Sequence, residues 1–311
     1  MKPIKHPQTI LVTGARGFTG RHLCHALRNR GHRVIGLTQH AVDDADTVAC
    51  DLMDSSALQS TLTRIKPDQV VHLAALAFIA SNEAAEAYYR TNVVGTCNLL
   101  NALEKVQPNK VLIASSANIY GQPDDGKPIT ENTPPAPVNH YGASKLAMEH
   151  MVRTYAHTLP IIITRPFNYT GPGQDEHFLV PKIVSHFRHR ASEIELGNLD
   201  VSRDFTSIHD LVEAYIMLLE SEITGETFNV CSGTTISLKQ ILDWLMMLSG
   251  HSLTVNVNPI FVRKNEIKLL VGDHTHLSNL TGWAPKQTFI GLLKEMLAYP
   301  PRSALLLTER E

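Results

Sequence analysis

Residues 9–20 allow little besides a strand, a tight turn and a helix in immediate succession. The β-branched and apolar run Thr9-Ile10-Leu11-Val12 leads straight into Thr13-Gly14-Ala15-Arg16-Gly17-Phe18-Thr19-Gly20. Gly14 permits the turn out of the strand, Gly17 lets the backbone approach a phosphate, and Gly20 lets the following helix pack closely on its sheet. That helix aims unpaired N–H groups and the positive end of its dipole at the loop. The spacing is Gly-x-x-Gly-x-x-Gly rather than Gly-x-Gly-x-x-Gly. With a strand before it and a helix after it, the loop points to a dinucleotide pyrophosphate. Phe18 and Thr19 fall within the same cofactor-binding turn.

The rest of the first half alternates between the two periodicities, which predicts a Rossmann-type α/β fold, a doubly wound parallel sheet. Strands are expected at residues 9–13, 33–37, 47–49, 69–73, 110–115 and 161–165, with helices at 21–30 and 83–105 among those between them. Five prolines within residues 121–139 exclude a long element and predict an ordered loop near the site. After Pro166 the pattern loosens into helices at 181–189, 210–221, 237–249 and 288–298, with short strands at 227–230 and 253–257. A chain of 311 residues is close to the limit for one core. Residues 1–166 are therefore read as the dinucleotide-binding domain, to which later segments can return. Residues 167–311 form a smaller, mostly C-terminal α/β substrate lobe, and 300–311 a weakly ordered end.

Composition excludes several classes. A formal net charge of −2 offers no pull toward nucleic acid. No stretch is apolar enough for a membrane helix, and none precedes the first strand as a signal peptide would. Cys24, Cys50, Cys97 and Cys231 are scattered and read as reduced thiols of a cytoplasmic protein. The histidines form no metal-ligand spacing, so no metal is expected.

The end of the second strand discriminates between the two nicotinamide cofactors. An acid there would take the adenosine ribose hydroxyls, but this chain has Thr38, Gln39 and His40, with Arg16 inside the glycine loop. A missing carboxylate beside a guanidinium suits a 2′-phosphate, so NADP is favoured over NAD. Asp51, followed by Leu52, is placed to bind the adenine amino group. Downstream stand Tyr141 and Lys145, one helical turn apart, with Ser116 25 positions before the tyrosine. Such Tyr–Lys pairs occur by chance on many helices. In register with the glycine loop, they nominate an acid/base pair.

These pieces resemble the extended short-chain dehydrogenase/reductase superfamily, the group of nucleotide-sugar epimerases, dehydratases and reductases. The likeness runs through the glycine loop, Asp51-Leu52, Leu73-Ala74-Ala75, Asn92-Val93-Val94-Gly95, residues 115–121, Tyr141 to Lys145 and Arg165-Pro166-Phe167-Asn168. It implies that Tyr141 exchanges the proton, with Lys145 and the charged nicotinamide ring lowering a pKa of about 10. Ser116 would orient the substrate oxygen. Leu73, Ala74, Ala75, Asn92 and Pro166 would line the cofactor. A homodimer through helices 83–105 and 141–155 is a further implication.

Dehydratases of the family carry Thr-Asp-Glu where this chain has Ser116-Ala117-Asn118, so elimination of water is not expected. Asn168, Phe178, Lys182 and Arg203 fall in segments that face the substrate in the family. Arg263-Lys-Asn-Glu266-Ile-Lys-Leu-Leu-Val-Gly-Asp is similar to the pattern of GDP-mannose dehydratases and GDP-4-keto-6-deoxy-D-mannose reductases. Arg263 would grip the diphosphate, and Glu266 the ribose or purine edge. The resemblance implies reduction of the C4 ketone of GDP-4-keto-6-deoxy-D-mannose to GDP-D-rhamnose. Its alternatives are GDP-6-deoxy-D-talose as product, or a 4-epimerase with tightly bound NAD. Leu76-Ala77 stands where relatives carry Gln-Ser or Gln-Thr, in the loop that faces the sugar.

Overall fold

The computed structural model describes residues 7–40, 44–77, 84–122, 126–261 and 269–300. In chain order its first half comprises β1 (Thr9–Thr13), α1 (Phe18–Asn29), β2 (Arg33–Thr38), β3 (Thr47–Ala49), α2 (Ser55–Ile65), β4 (Gln69–His72), α3 (Ala85–Tyr89), α4 (Thr96–Val106), β5 (Lys110–Ala114), α5 (His140–Arg153) and β6 (Ile161–Pro166). The second half holds β7 (Asn168–Thr170), α6 (Leu179–Arg188), β8 (Glu193–Leu196), β9 (Ser202–Ser207), α7 (Ile208–Glu220), β10 (Thr227–Val230), β11 (Thr235–Ser237), α8 (Leu238–Ser249), β12 (Thr254–Val257), β13 (Leu269–Leu270), α9 (Thr275–Thr281) and α10 (Phe289–Ala298).

Seven parallel strands form one sheet in the order β10-β6-β5-β4-β1-β2-β3. The Rossmann-type expectation holds. Its strands read as continuous apolar runs because helices cover both faces. Leu23 and Leu27 of α1 meet Leu211, Tyr215 and Leu218 of α7 on one face. Leu58 and Leu62 of α2, Leu99 and Leu103 of α4, and Met148 and Val152 of α5 close the other. Strand order reverses between β1 and β4, so a crevice opens there beyond the carboxyl ends of the strands.

The strand β10 comes from beyond residue 166 and pairs with β6, from Thr227 opposite Ile163 to Val230 opposite Pro166. Helix α7 and Leu277 of α9 also join the core of that sheet, whereas α6, α8 and α10 build a separate core in which Ile183, Phe187, Ile241, Leu245 and Leu292 pack together. Beside that core, β9 pairs with β7, β11 and β13. No helix among the described residues is long and apolar enough to cross a membrane.

Two elements differ from the sequence reading. The helix expected at 21–30 starts at Phe18, because the glycine loop itself forms its first turn. The helix expected at 83–105 is α3 and α4 joined by one widened π-helical turn, Arg90–Gly95. Its cause is tertiary: Asn92 turns inward to bond a neighbouring loop, and an extra residue in the turn gives it the reach. The short strands β7, β9, β11 and β13 escape a sequence reading, as does β8, whose alternation of exposed glutamates with buried Ile194 and Leu196 spans only four residues.

Candidate active site

The glycine loop follows β1 as its sequence requires. Gly14 adopts a φ of +66°, and a Cβ there would lie 2.8 Å from the backbone nitrogen of Ala74. A Cβ on Gly20 would lie 2.3 Å from the carbonyl oxygen of Gly14. Gly17 caps α1 without any side-chain hydrogen bond, and the first turn of the helix contains no acid. A helix end left without its own carboxylate or hydroxyl partner suits a phosphate. Loop, helix end and strand edge therefore fit a dinucleotide.

A polar relay beneath the crevice holds the next loop in place. Thr13 Oγ1 accepts the N–H groups of Leu73 and Ala74, at 3.2 and 3.1 Å, and lies 2.7 Å from His72 Nδ1. His72 Nε2 lies 2.8 Å from Thr96 Oγ1, whose own proton goes to the Asn92 carbonyl. That pattern assigns His72 the neutral tautomer with its proton on Nε2. Burial agrees, holding its pKa down to about 3. Asn92 accepts the N–H of Leu76 at 2.8 Å and spends both amide hydrogens, on the Leu76 carbonyl and on Ser144 Oγ. It is expected among the cofactor contacts, and it staples residues 73–76 to the α5 helix.

That helix carries the acid/base candidates. Asn139 Oδ1 accepts Gly142 N–H at 2.8 Å and caps its start, an interaction of about 1 kcal/mol. Gly142 is a residue the sequence reading missed. Its missing side chain lets α5 approach the turn Ala117–Tyr120, since a Cβ there would lie 2.5 Å from the Asn118 carbonyl oxygen. The close approach brings Tyr141 onto Ser116, and the two hydroxyls hydrogen-bond. Ser116 Oγ already accepts the Asn118 N–H and Nδ2, at 3.2 and 3.1 Å. Both lone pairs are thus taken, so Ser116 donates its proton to the Tyr141 oxygen.

Lys145 is buried one turn further on and donates to the Ala114 carbonyl, at the end of β5, at 2.8 Å. Burial brings its ammonium down to about 8, with Glu149 acting against the fall. Tyr141 is pushed up to about 12, because burial outweighs the Ser116 hydrogen bond.

Tyr169, which the sequence reading did not single out, joins the two halves of the molecule. Its ring stacks on Phe18 at 6.1 Å, and its hydroxyl meets Thr19 Oγ1 at 2.9 Å. Beyond the end of β2, Gln39 Nε2 donates to Asp51 at 3.3 Å, and Asp51 also accepts the Met53 N–H. Thr38 donates to the His40 carbonyl, and the Leu52 carbonyl accepts from Asn98. Arg16 is exposed, and its charge helps hold the Asp44 carboxylate below its usual range, after the hydrogen bonds from Thr47 and Asp46. Pro166 is buried at the end of β6.

The substrate candidates are more dispersed. Asn168 Nδ2 donates to the Asp204 carbonyl at 3.3 Å. Asp204 is fully buried and accepts from Ser232 N and Oγ, Gly233 N and Gly272 N, which ties β9 to residues 232–233 and 272 beside Arg203. Phe178 caps α6 half-buried. Lys182 donates to the Glu195 carbonyl at 2.8 Å and lies over the Phe261 ring. Arg263 and Glu266 lie outside the described residues.

Residues 10–231 match the model of the NAD dependent epimerase/dehydratase family. The chain belongs to that family. It is 40% identical over 291 residues to the GDP-6-deoxy-D-talose 4-dehydrogenase of Aggregatibacter actinomycetemcomitans, covering 92% of this chain and 96% of that one. It is 32% identical over 305 residues to the GDP-6-deoxy-D-mannose reductase of Pseudomonas aeruginosa, covering 94% and 96%. The solved structure of RMD from Pseudomonas aeruginosa complexed with NADPH superposes with a TM-score of 0.83 at 30% identity, covering 94% of this epimerase/dehydratase chain and 98% of RMD. Like its relatives, this family member is an NAD(P)-dependent enzyme.

Proposed function

We propose that this enzyme reduces the C4 ketone of GDP-4-keto-6-deoxy-D-mannose. The observation that carries the reading is the Ser116–Tyr141–Lys145 arrangement, set at the carboxyl edge of the sheet beside the glycine loop. A phenol pushed up to about 12 keeps its proton at neutral pH, which suits an acid that must protonate a ketone oxygen. Ser116, donating to the Tyr141 oxygen, holds the phenol in line with that ketone. The ammonium of Lys145 stabilises the phenolate left behind and has donors to spare for the nicotinamide ribose. Bound NADPH would supply the hydride. Ala117 is buried and Asn118 folds back onto Ser116, so positions 117 and 118 bring no second acid for a dehydration.

The GDP moiety and the product rest on the relatives. The resemblance alone puts GDP-D-rhamnose first, but the greater identity to the talose enzyme moves this reading to GDP-6-deoxy-D-talose. The two differ only in the face of the ketone that receives hydride. Leu76, clamped by Asn92 through both its N–H and its carbonyl, sits in the loop expected to set that face. NADPH is preferred in this reading on account of Arg16, and a homodimer through α4 and α5 completes it; light scattering measures the latter.

The test mixes purified protein with fresh GDP-4-keto-6-deoxy-D-mannose and either NADPH or NADH, follows cofactor absorbance and identifies the product by NMR. Stoichiometric consumption, faster with NADPH, and a talo product are expected. A rhamno product corrects only the face. Interconversion of sugars without consumption overturns the reductase in favour of an epimerase. In the same assay, Arg263→Ala is expected to raise the KM for the sugar nucleotide by about 10- to 100-fold, the loss of one charged bidentate contact, with the NADPH KM unchanged. Equal effects on both would remove Arg263 from the diphosphate.

A further inference from the structure

A third ionisable side chain stands in line with Tyr141 and Lys145 on the α5 helix. Glu149 lies one turn beyond Lys145 and is 0% exposed. Its carboxylate takes both edges of Arg165 on the β6 strand, Oε1 from Nε at 2.9 Å and Oε2 from Nη2 at 2.6 Å. Arg153 Nη2 adds a longer contact at 3.3 Å. Arg165 Nη1 then donates to the Tyr120 hydroxyl at 2.8 Å and to the Glu131 carbonyl at 3.1 Å. The Tyr120 hydroxyl donates to Asn229 Oδ1, and the Asn229 amide donates to the Ile129 carbonyl. Residue 129 in turn bonds the backbone of Val271 and Asp273. A single polar chain therefore runs from the catalytic helix to the segment that follows residue 268.

Stability alone does not account for this arrangement. Burying a carboxylate and a guanidinium costs about as much as their attraction returns, and apolar residues of the same volume often serve as well. Position is the informative feature. Charges one helical turn apart face each other, and the low dielectric of the interior strengthens their interaction. We propose that Glu149, fixed by Arg165, is the positioning residue that keeps Lys145 an ammonium and in register with Tyr141. The inference rests on the reading of Tyr141 and Lys145 as the acid/base pair.

The other groups around the pair do not substitute for Glu149. His72 on the β4 strand is neutral, as is Tyr120 on the turn below. Tyr88 on the α3 helix meets the Tyr141 ring edge-on at 6.3 Å. Glu131 faces Asn229 and lends its carbonyl to Arg165. From the α4 helix, Cys97 and Glu104 address the segment after α5, at Tyr155 and Thr158. Lys145 sits near 8 with Glu149 acting against the effect of burial. Without the carboxylate its charge is lost at lower pH.

The test reads NADPH affinity by fluorescence between pH 6 and 10, with thermal midpoints alongside. Wild-type binding should weaken as pH rises through about 8, where Lys145 loses its proton. Lys145→Met should lack that step. Glu149→Gln, which keeps the shape and loses the charge, should move the step down by about one pH unit. Should that variant unfold, the double variant Glu149→Leu/Arg165→Met fills the site with apolar groups and should shift the step in the same direction by less, since the opposing guanidinium charge leaves too, at a near-wild-type midpoint. A wild-type curve without a Lys145-dependent step, or Glu149 variants that titrate where wild type does, overturns the proposal. The acid/base reading fails separately, if Lys145→Met reduces the sugar nucleotide at the wild-type kcat.

Discussion

Tyr141→Phe is expected to lower kcat by about 10³-fold while leaving NADPH affinity within twofold of wild type. The substitution removes one oxygen, the one that gives up the proton, and a positioned acid contributes about 10²–10⁴ to such a step. The fold should tolerate the change. Ser116 keeps its two hydrogen bonds from Asn118, and the ring keeps its edge contact with Tyr88. Because the proton must be present on the phenol, reductase activity should be retained on the acid side and lost as pH rises through the folded pKa of the working site. The measurement is steady-state kinetics beside a cofactor titration. Wild-type turnover in this variant would remove Tyr141 from the chemistry, whereas a matching loss of cofactor affinity would make its role structural.

Gly20→Ala should lower the thermal midpoint by roughly 2–5 °C and abolish measurable NADPH binding. The added Cβ would lie 2.3 Å from the Gly14 carbonyl and 2.6 Å from that of Ala15. Both partners are backbone of the loop that the cofactor phosphates need, so relief of the clash must deform that loop or lift the helix from the sheet. Overpacking of this kind costs about 1–3 kcal/mol or more, which sets the expected fall. Differential scanning fluorimetry with and without NADPH separates the two effects. A midpoint within a degree of wild type and unchanged cofactor stabilisation would show that the helix can shift at little cost.

How much of the site was legible depended on how local each feature is. The run from Thr9 to Gly20 contains the strand, the turn and the helix start in one continuous window. The Tyr141–Lys145 pair needs only helical spacing, and the missing acid after Thr38 is visible by inspection. Glu149 could also be seen at the next helical position. Its partner Arg165 is 16 residues away on a strand, and nothing in either residue's neighbourhood announces a buried ion pair. Asn92 is similar: its side chain widens a helical turn because Leu76 and Ser144 lie within reach. Gly142 reads as an ordinary helix residue until the Asn118 carbonyl is found against it. The short strands around β9 exist only through their pairing with one another.

By itself, then, the sequence determined the layered α/β architecture, the strand–glycine turn–helix unit and the candidates for the acid/base pair, since periodicity and glycine spacing are properties of a single stretch of chain. Tertiary structure alone decided that Ser116 donates to Tyr141, that Lys145 is buried beside a fixed carboxylate and that Tyr169 closes onto α1. Proton affinities follow from burial and from partners brought together by folding, and those are set by distance in space rather than by position in the chain.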